Sequence, residues 1–146
     1  MKSRFDPVGF QRFDPVGFQK LDAGNDFNRQ RAGVYDIDEL YIDKPGGGYV
    51  RLDSYSINSE IISRKFTQLG DIQGKTGVGY LRELSNKYPA GSVISNVPSS
   101  GGLAGQRLSG DLILEVPVQA TPVPTSIIGE ADRLGILIRD INGKVY

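Results

Sequence analysis

The chain has 146 residues, 38% of them apolar and 23% charged, and its 17 basic and 17 acidic side chains cancel. That length suits one domain with a true core, and the cancelled charge excludes a global attraction to nucleic acid, so any such binding needs a local basic face. With no Cys and no His, disulfides, thiolate nucleophiles, imidazole bases and imidazole metal ligands are excluded; catalysis would fall to carboxylates, Lys, Arg, Tyr or Ser, with a hard cation on oxygen ligands as the natural metal.

The chain opens with RFDPVGFQ at residues 4–11, repeats it at 12–19, and follows with a decayed third copy at Lys20-Leu21-Asp22. Each perfect copy carries Asp-Pro with a Gly two residues later, a pattern that favours a turn over a helix. Residues 1–32 read as a repeat-bearing tether, or alternatively as a docking strip whose Phe residues sit in a partner. Residues 33–146 read as the domain that carries the chemistry. No apolar run approaches the roughly 18 residues needed to span a bilayer, and the basic start is not followed by an apolar signal core. No stable membrane insertion is expected.

From Gly33 a short acidic, aromatic stretch runs to a break at Pro45-Gly46-Gly47-Gly48. Residues 49–55 and 60–66 are rich in strand formers and face each other across Ile57-Asn58-Ser59, which predicts a β-hairpin. Residues 67–88 place Leu69, Ile72, Tyr80, Leu81 and Leu84 near helical spacing and stop at Pro89, predicting a helix. Gly70, Gly74, Gly77 and Gly79 each weaken that helix by up to ~1 kcal/mol relative to Ala, so it starts late or packs closely on the sheet. Residues 92–98 predict a short strand, and 98–110 a turn-rich loop. Residues 111–119, nearly continuous in apolar side chains, predict a strand buried on both faces. A short helix is expected after an N-cap at Thr125, stopped by Gly135, and then a last strand with a turn at Asn142-Gly143. Hairpin, helix, strand, strand, helix and strand make an α/β fold: a mixed central sheet with flanking helices.

Within the hairpin, Arg51, Asp53 and Tyr55 share one face of the first strand; on the second, Glu60, Ile62 and Arg64 share one face and Ser63 with Lys65 the other. Asp53 therefore lies beside either Glu60 or the Ser63/Lys65 pair, and register decides which. A carboxylate on one strand, with a carboxylate and a Lys on the next, is the minimum for holding Mg²⁺ and orienting a water near a phosphodiester. The Lys would stabilise developing charge. The competing reading is a solvated face with cross-strand ion pairs. Residues 51–87 carry six basic and four acidic side chains, a modest local excess. Other motifs are weaker. Gly70 to Thr76 (GDIQGKT) is one residue short of a phosphate loop; Asp36, Asp38, Glu39 and Asp43 lack Ca²⁺-loop spacing; Ser99 and Ser100 have no evident base.

The hairpin YVRLDSYSINSEIISRKFTQL, the helix YLRELSNKYPAG and the distal LEVPVQ…IRDINGKVY resemble the C-terminal toxin domains of bacterial polymorphic toxins, of the contact-dependent inhibition (filamentous haemagglutinin-type) and Rhs classes. The hairpin and following helix are also similar to the PD-(D/E)xK nuclease core, which implies a restriction-endonuclease-like core within the α/β fold. By that resemblance Asp53 would be the first metal ligand, Glu60 the second and Lys65 the catalytic Lys, with Gln68 or Gln73 contacting metal-bound water or phosphate. Arg51, Arg64, Lys75 and Tyr80 are the candidate substrate-binding residues. The spacing departs from acid-x-Lys: Ser63 stands two residues before Lys65 and Glu60 five, so either Ser63 takes the acid's position or the geometry has shifted. The resemblance implies a Mg²⁺-dependent (or other divalent-cation-dependent) nuclease acting on DNA or tRNA, secreted and delivered into the cytoplasm of a target bacterial cell, and bound by a cognate immunity protein. It also makes the RFDPVGFQ copies a junction ahead of the toxin. The alternatives are a metal-independent RNase or transferase toxin and a non-enzymatic binding or adhesin fragment.

Overall fold

The computed structural model describes residues 16–146; the first RFDPVGFQ copy and residues 12–15 of the second lie outside them. Helix α1 (Val16–Gln30) is followed by β1 (Ile37–Asp43), β2 (Tyr49–Ser56), β3 (Glu60–Arg64), α2 (Gly74–Lys87), β4 (Asp111–Val116), α3 (Thr125–Leu134) and β5 (Ile136–Asp140). The five strands form one mixed sheet in the order β1-β2-β3-β4-β5. The first three form an antiparallel meander, whereas β4 lies parallel to β3 and β5 parallel to β4. The expected α/β fold with a mixed sheet and flanking helices is what forms. No helix among the described residues is long and apolar enough to cross a membrane.

Several local expectations change. The end of the second repeat copy, Val16 to Gln19, lies in α1 rather than a turn. Further along the span read as a tether, Phe27 is buried. The acidic stretch after Gly33 is strand β1: Leu40 and Ile42 enter the core, while Asp38 accepts a hydrogen bond from Ser54 Oγ (2.6 Å) and Asp43 one from Ser95 Oγ (2.5 Å). Residues 92–98, expected as a strand, make only isolated bridges, Val93 to Arg107 and Ile42 to Ile94. α2 begins at Gly74, and Pro124 rather than Thr125 is the α3 N-cap; Gly135, at φ 70, closes that helix as expected.

The two faces of the sheet differ. On one, Tyr55, Ile61, Leu114, Val116, Ile136 and Ile138 pack with Leu81 and Leu84 of α2 and Ile127 of α3 into the main apolar core. On the other, Arg64 is buried beside Glu115, whose side chain has no exposed surface. Arg64 Nε donates to Glu115 Oε1 (2.6 Å) and Arg64 Nη2 to Ser54 Oγ (2.5 Å). Glu115 Oε2 accepts from Arg31 Nη2 (2.9 Å) and from the Tyr35 hydroxyl (2.6 Å), and Asn28 Oδ1 accepts from Arg64 Nη1 (3.3 Å). α1 and the segment after it are thus fastened to the sheet by a polar cluster. Burial would push the Glu115 carboxyl up, but the bonds from Arg31, Tyr35 and Arg64 together bring it below its ordinary value.

The helical glycines are of two kinds. A Cβ on Gly77 would collide with the Ile127 side chain, so this glycine sets how closely α2 approaches α3; Gly79 faces open space. Gly77→Ala is expected to lower stability by ~1–3 kcal/mol through overpacking, while Gly79→Ala raises it by ~1 kcal/mol; urea unfolding of the two variants checks the opposite signs. Removing the Glu115 carboxylate leaves buried guanidinium charge uncompensated, so Glu115→Ala should cost ~3–5 kcal/mol at neutral pH. Because the folded carboxyl is depressed, this stabilisation is present above the ordinary Glu range and fades as pH falls through the folded value. A wild-type-minus-variant stability difference that does not shrink in acid would overturn that account.

Candidate functional site

Register settles which neighbour Asp53 has. β2 pairs β3 through Ser54 with Ile62, Tyr55 with Ile61 and Ser56 with Glu60. One further step brings Asp53 level with Ser63 and leaves Glu60 three residues away along the strand, ~10 Å at the usual rise. Asp53 itself is paired in neither ladder: the β1–β2 pairs pass from Leu40 with Leu52 to Asp38 with Ser54, skipping Glu39, which sits at φ 57. The side chain substitutes for the missing main-chain acceptor. Its Oδ2 accepts the Arg64 backbone N–H at 2.7 Å, and Oδ1 is engaged by no hydrogen bond among the described residues.

Asp53 lines a cleft of about 430 Å³ at the end of β3. Ser63, Lys65, Phe66 and Thr67 border it from the β3 side, Tyr80, Glu83, Lys87 and Tyr88 from α2 and its C-cap, and Asn25, Phe27 and Asn28 from α1. A smaller cavity of about 180 Å³ shares Asn25, Asn28, Arg51, Asp53 and Arg64 with it. Burial pushes the Asp53 carboxyl up, and the Arg64 N–H and the charges of Arg64, Lys65 and Arg51 only partly offset this.

Lys65, one residue past β3, places Nζ 3.5 Å from Glu83 Oε1 and 5.0 Å from the centre of the Tyr80 ring. Lys87 Nζ lies 2.9 Å from Glu83 Oε2. The Lys87 hydrogen bond holds the Glu83 carboxyl below its ordinary value, against partial burial and with help from Lys65. Tyr88 donates its hydroxyl to the Arg51 carbonyl at 2.6 Å. Burial first, then the charges of Asp53 and Glu83, pushes the Tyr88 hydroxyl up to about 12, so it stays a donor.

Of the residues expected from sequence, Asp53, Ser63, Lys65, Arg51 and Tyr80 meet in this cleft. Glu60, expected as second ligand, is not among the residues lining it: its carboxylate takes both Arg139 guanidinium nitrogens, Nη1 at 2.6 Å and Nη2 at 3.0 Å. Arg64 lines the cleft, but its guanidinium is spent on Glu115 and Ser54. Gln68 staples two loops, donating to the Val118 carbonyl (2.9 Å) and accepting from Ala120 N–H (2.7 Å). Gln73 is the α2 N-cap residue without a side-chain capping bond, and Lys75 is exposed on the first turn outside the cleft lining. Sequence reasoning missed Glu83, Lys87 and Tyr88. The signal was present: Tyr80, Glu83 and Lys87 stand three and four apart, so they share one helix face, beside the buried stripe of Leu81, Leu84 and Tyr88.

Among the described residues no group of three or more carboxylates stands ready to hold a metal. Mg²⁺ takes one or two carboxylates and completes its shell with water and phosphate oxygens: Asp53, whose Oδ1 accepts no hydrogen bond among the described residues, and Ser63 line the cleft, whereas each Glu83 carboxylate oxygen faces a lysine that a cation would have to displace. Arg51, Lys65 and Lys87 against Asp53 and Glu83 leave the cleft lining with one more cation than carboxylate, beside Arg64, which Glu115 neutralises. No family model, no curated protein and no solved structure matches the chain.

Asp53→Asn tests whether the burial of this carboxylate costs stability, since Asn keeps an oxygen for the Arg64 N–H. With the folded pKa raised, the native chain binds more protons than the unfolded one between the ordinary and the folded value, so stability falls as pH rises through that window. The variant should melt higher than wild type at pH 7, with the gain vanishing below about pH 4. An unchanged or lower Tm at pH 7 would refute the burial cost.

Proposed function

We propose that the chain is a metal-dependent nuclease that hydrolyses phosphodiester bonds in DNA or tRNA, built on a restriction-endonuclease-like core. The observation that carries this reading is the meeting of Asp53 on β2, Lys65 just past β3 and Glu83 on α2 in one cationic cleft. The antiparallel meander followed by a helix and a parallel strand supports it. Asp53 and Glu83 would hold the cation, with Ser63 in the place the acid-x-Lys pattern gives to a carboxylate. When bound, the cation supplies Lewis-acid polarisation of the phosphate and lowers the pKa of a coordinated water. Lys65 neutralises charge developing on the phosphorane oxygens, and Arg51 and Lys87 grip the flanking phosphates. Asp53, kept partly desolvated by α1 and α2, is poised to give up burial cost when a positive charge arrives.

The sequence resemblance extends the proposal to biology: a C-terminal toxin module of a bacterial polymorphic toxin, delivered into a target cell, acting in its cytoplasm and neutralised by an immunity protein over the cleft. A metal-independent RNase or transferase is the second reading, favoured by the position of Glu83 between two lysines, which already place positive charge where a cation would sit.

The test is incubation of the full chain with plasmid DNA and total tRNA, with Mg²⁺ or with chelator. The full chain is needed because α1 lines the cleft and Arg31 binds Glu115. Magnesium-dependent cleavage that Asp53→Ala and Lys65→Ala each reduce on the order of 10²–10³-fold is expected, with Glu60→Ala sparing the rate per folded molecule. Cleavage that survives chelator but needs Lys65 supports the metal-independent RNase, and absence of cleavage under both conditions overturns the nuclease and RNase readings and leaves the transferase.

A further inference from the structure

Phe66 is an anomaly in this cleft. It follows Lys65 directly and is 54% exposed, whereas Leu69, three residues on, is fully buried. It is held from one side. The preceding backbone N–H, that of Lys65, donates to the Glu115 carbonyl at 3.0 Å, and the Phe66 ring meets the buried Phe27 ring at a centroid distance of 5.5 Å and 58°. Phe27 therefore braces Phe66 and leaves much of it to solvent inside the cleft. The same cleft is lined by Lys65, whose ammonium sits over the Tyr80 ring, and by Asn25 and Asn28 on the α1 wall.

An exposed aromatic ring in a cleft that also carries cations is what a single strand of nucleic acid uses: the backbone tracks the positive charge and an unpaired base stacks on the ring. Bases in a duplex are stacked on one another, so their faces are closed to such a ring. The amide groups of Asn25 and Asn28 could then meet the edge of the stacked base. We infer that the cleft takes single-stranded nucleic acid, with Phe66 as the stacking platform for the base adjoining the phosphate at Lys65. The inference rests on the nuclease reading for its substrate class and selects unpaired strands within it.

The experiment measures fluorescence anisotropy of a labelled 12-nucleotide single-stranded DNA, the matching single-stranded RNA, and the DNA duplex, in chelator, with the full chain carrying Asp53→Asn to suppress cleavage. Tighter binding of the single strands than of the duplex is expected. Adding Phe66→Ala should weaken single-strand binding about 5- to 150-fold, Phe66→Trp should restore it, and duplex binding should move less than twofold. Since Phe66 is exposed, both variants should melt near the parent, which thermal unfolding checks. Duplex bound as tightly as single strand, or single-strand affinity within twofold of the parent in Phe66→Ala, overturns the inference. The two readings fail separately: cleavage of plasmid duplex without any Phe66 effect removes only the single-strand inference, whereas a Phe66 effect on binding by a chain that never cleaves removes only the nuclease.

Discussion

Arg64 joins the two faces of the sheet. Its guanidinium points into the polar face, where Glu115 and Ser54 hold it, and its main-chain N–H points along the sheet to Asp53. A buried ion pair is seldom a net source of stability when compared with well-packed apolar groups. Its contribution here is positional. With the guanidinium fixed, the peptide on either side of it is fixed, and Ser63 and Lys65 are presented to the cleft from a strand that cannot rotate. Glu115 adds a second restraint, since its own carbonyl accepts the Lys65 N–H at 3.0 Å. The charge cluster on one face thereby aims the side chains on the other.

The same arrangement explains the place of α1. Among the described side chains of the helix Phe27 is buried, and Asn28, with Arg31 and Tyr35 just past the helix, adds directional bonds to the sheet. Directional bonds fix the angle of the helix, and that angle forms one wall of the cleft. The opposite wall, α2, is set by a different device, the bare backbone of Gly77 against Ile127. Polar anchoring on one side and close steric approach on the other define a cleft whose width is not left to loop flexibility.

Much of the fold could be read from residue order because local signals and burial agreed. Strand formers flanking Asn58, which takes φ 58 in the turn, gave the hairpin; Gly135 stopped α3 and Asn142-Gly143 turned the last strand, with Asp140 accepting the Asn142 and Lys144 N–H groups. β1 was obscured because its carboxylates count against a strand, and only tertiary partners such as Ser54 and Ser95 make them tolerable there. Within the site, Asp53 and Lys65 were legible from alternation along two strands. That Glu60 stands apart from Asp53 was not legible because the residue that binds it, Arg139, is 79 positions away, and Glu83 was overlooked because strand periodicity says nothing about which helix face will later cover a strand end.

The contacts that order the cleft are remote in sequence: Arg31 reaches Glu115 across 84 residues, and Tyr35 accepts from Arg139 across 104. During synthesis, a chain that has emerged only as far as α2 would already carry Asp53, Lys65 and Glu83, yet β4, which pins Arg64, would still be missing. Loop closure over such separations comes late in folding. The walls of the cleft therefore cannot close on Asp53 and Lys65 until β4 has brought Glu115 to Arg64 and β5 has brought Arg139 to Tyr35.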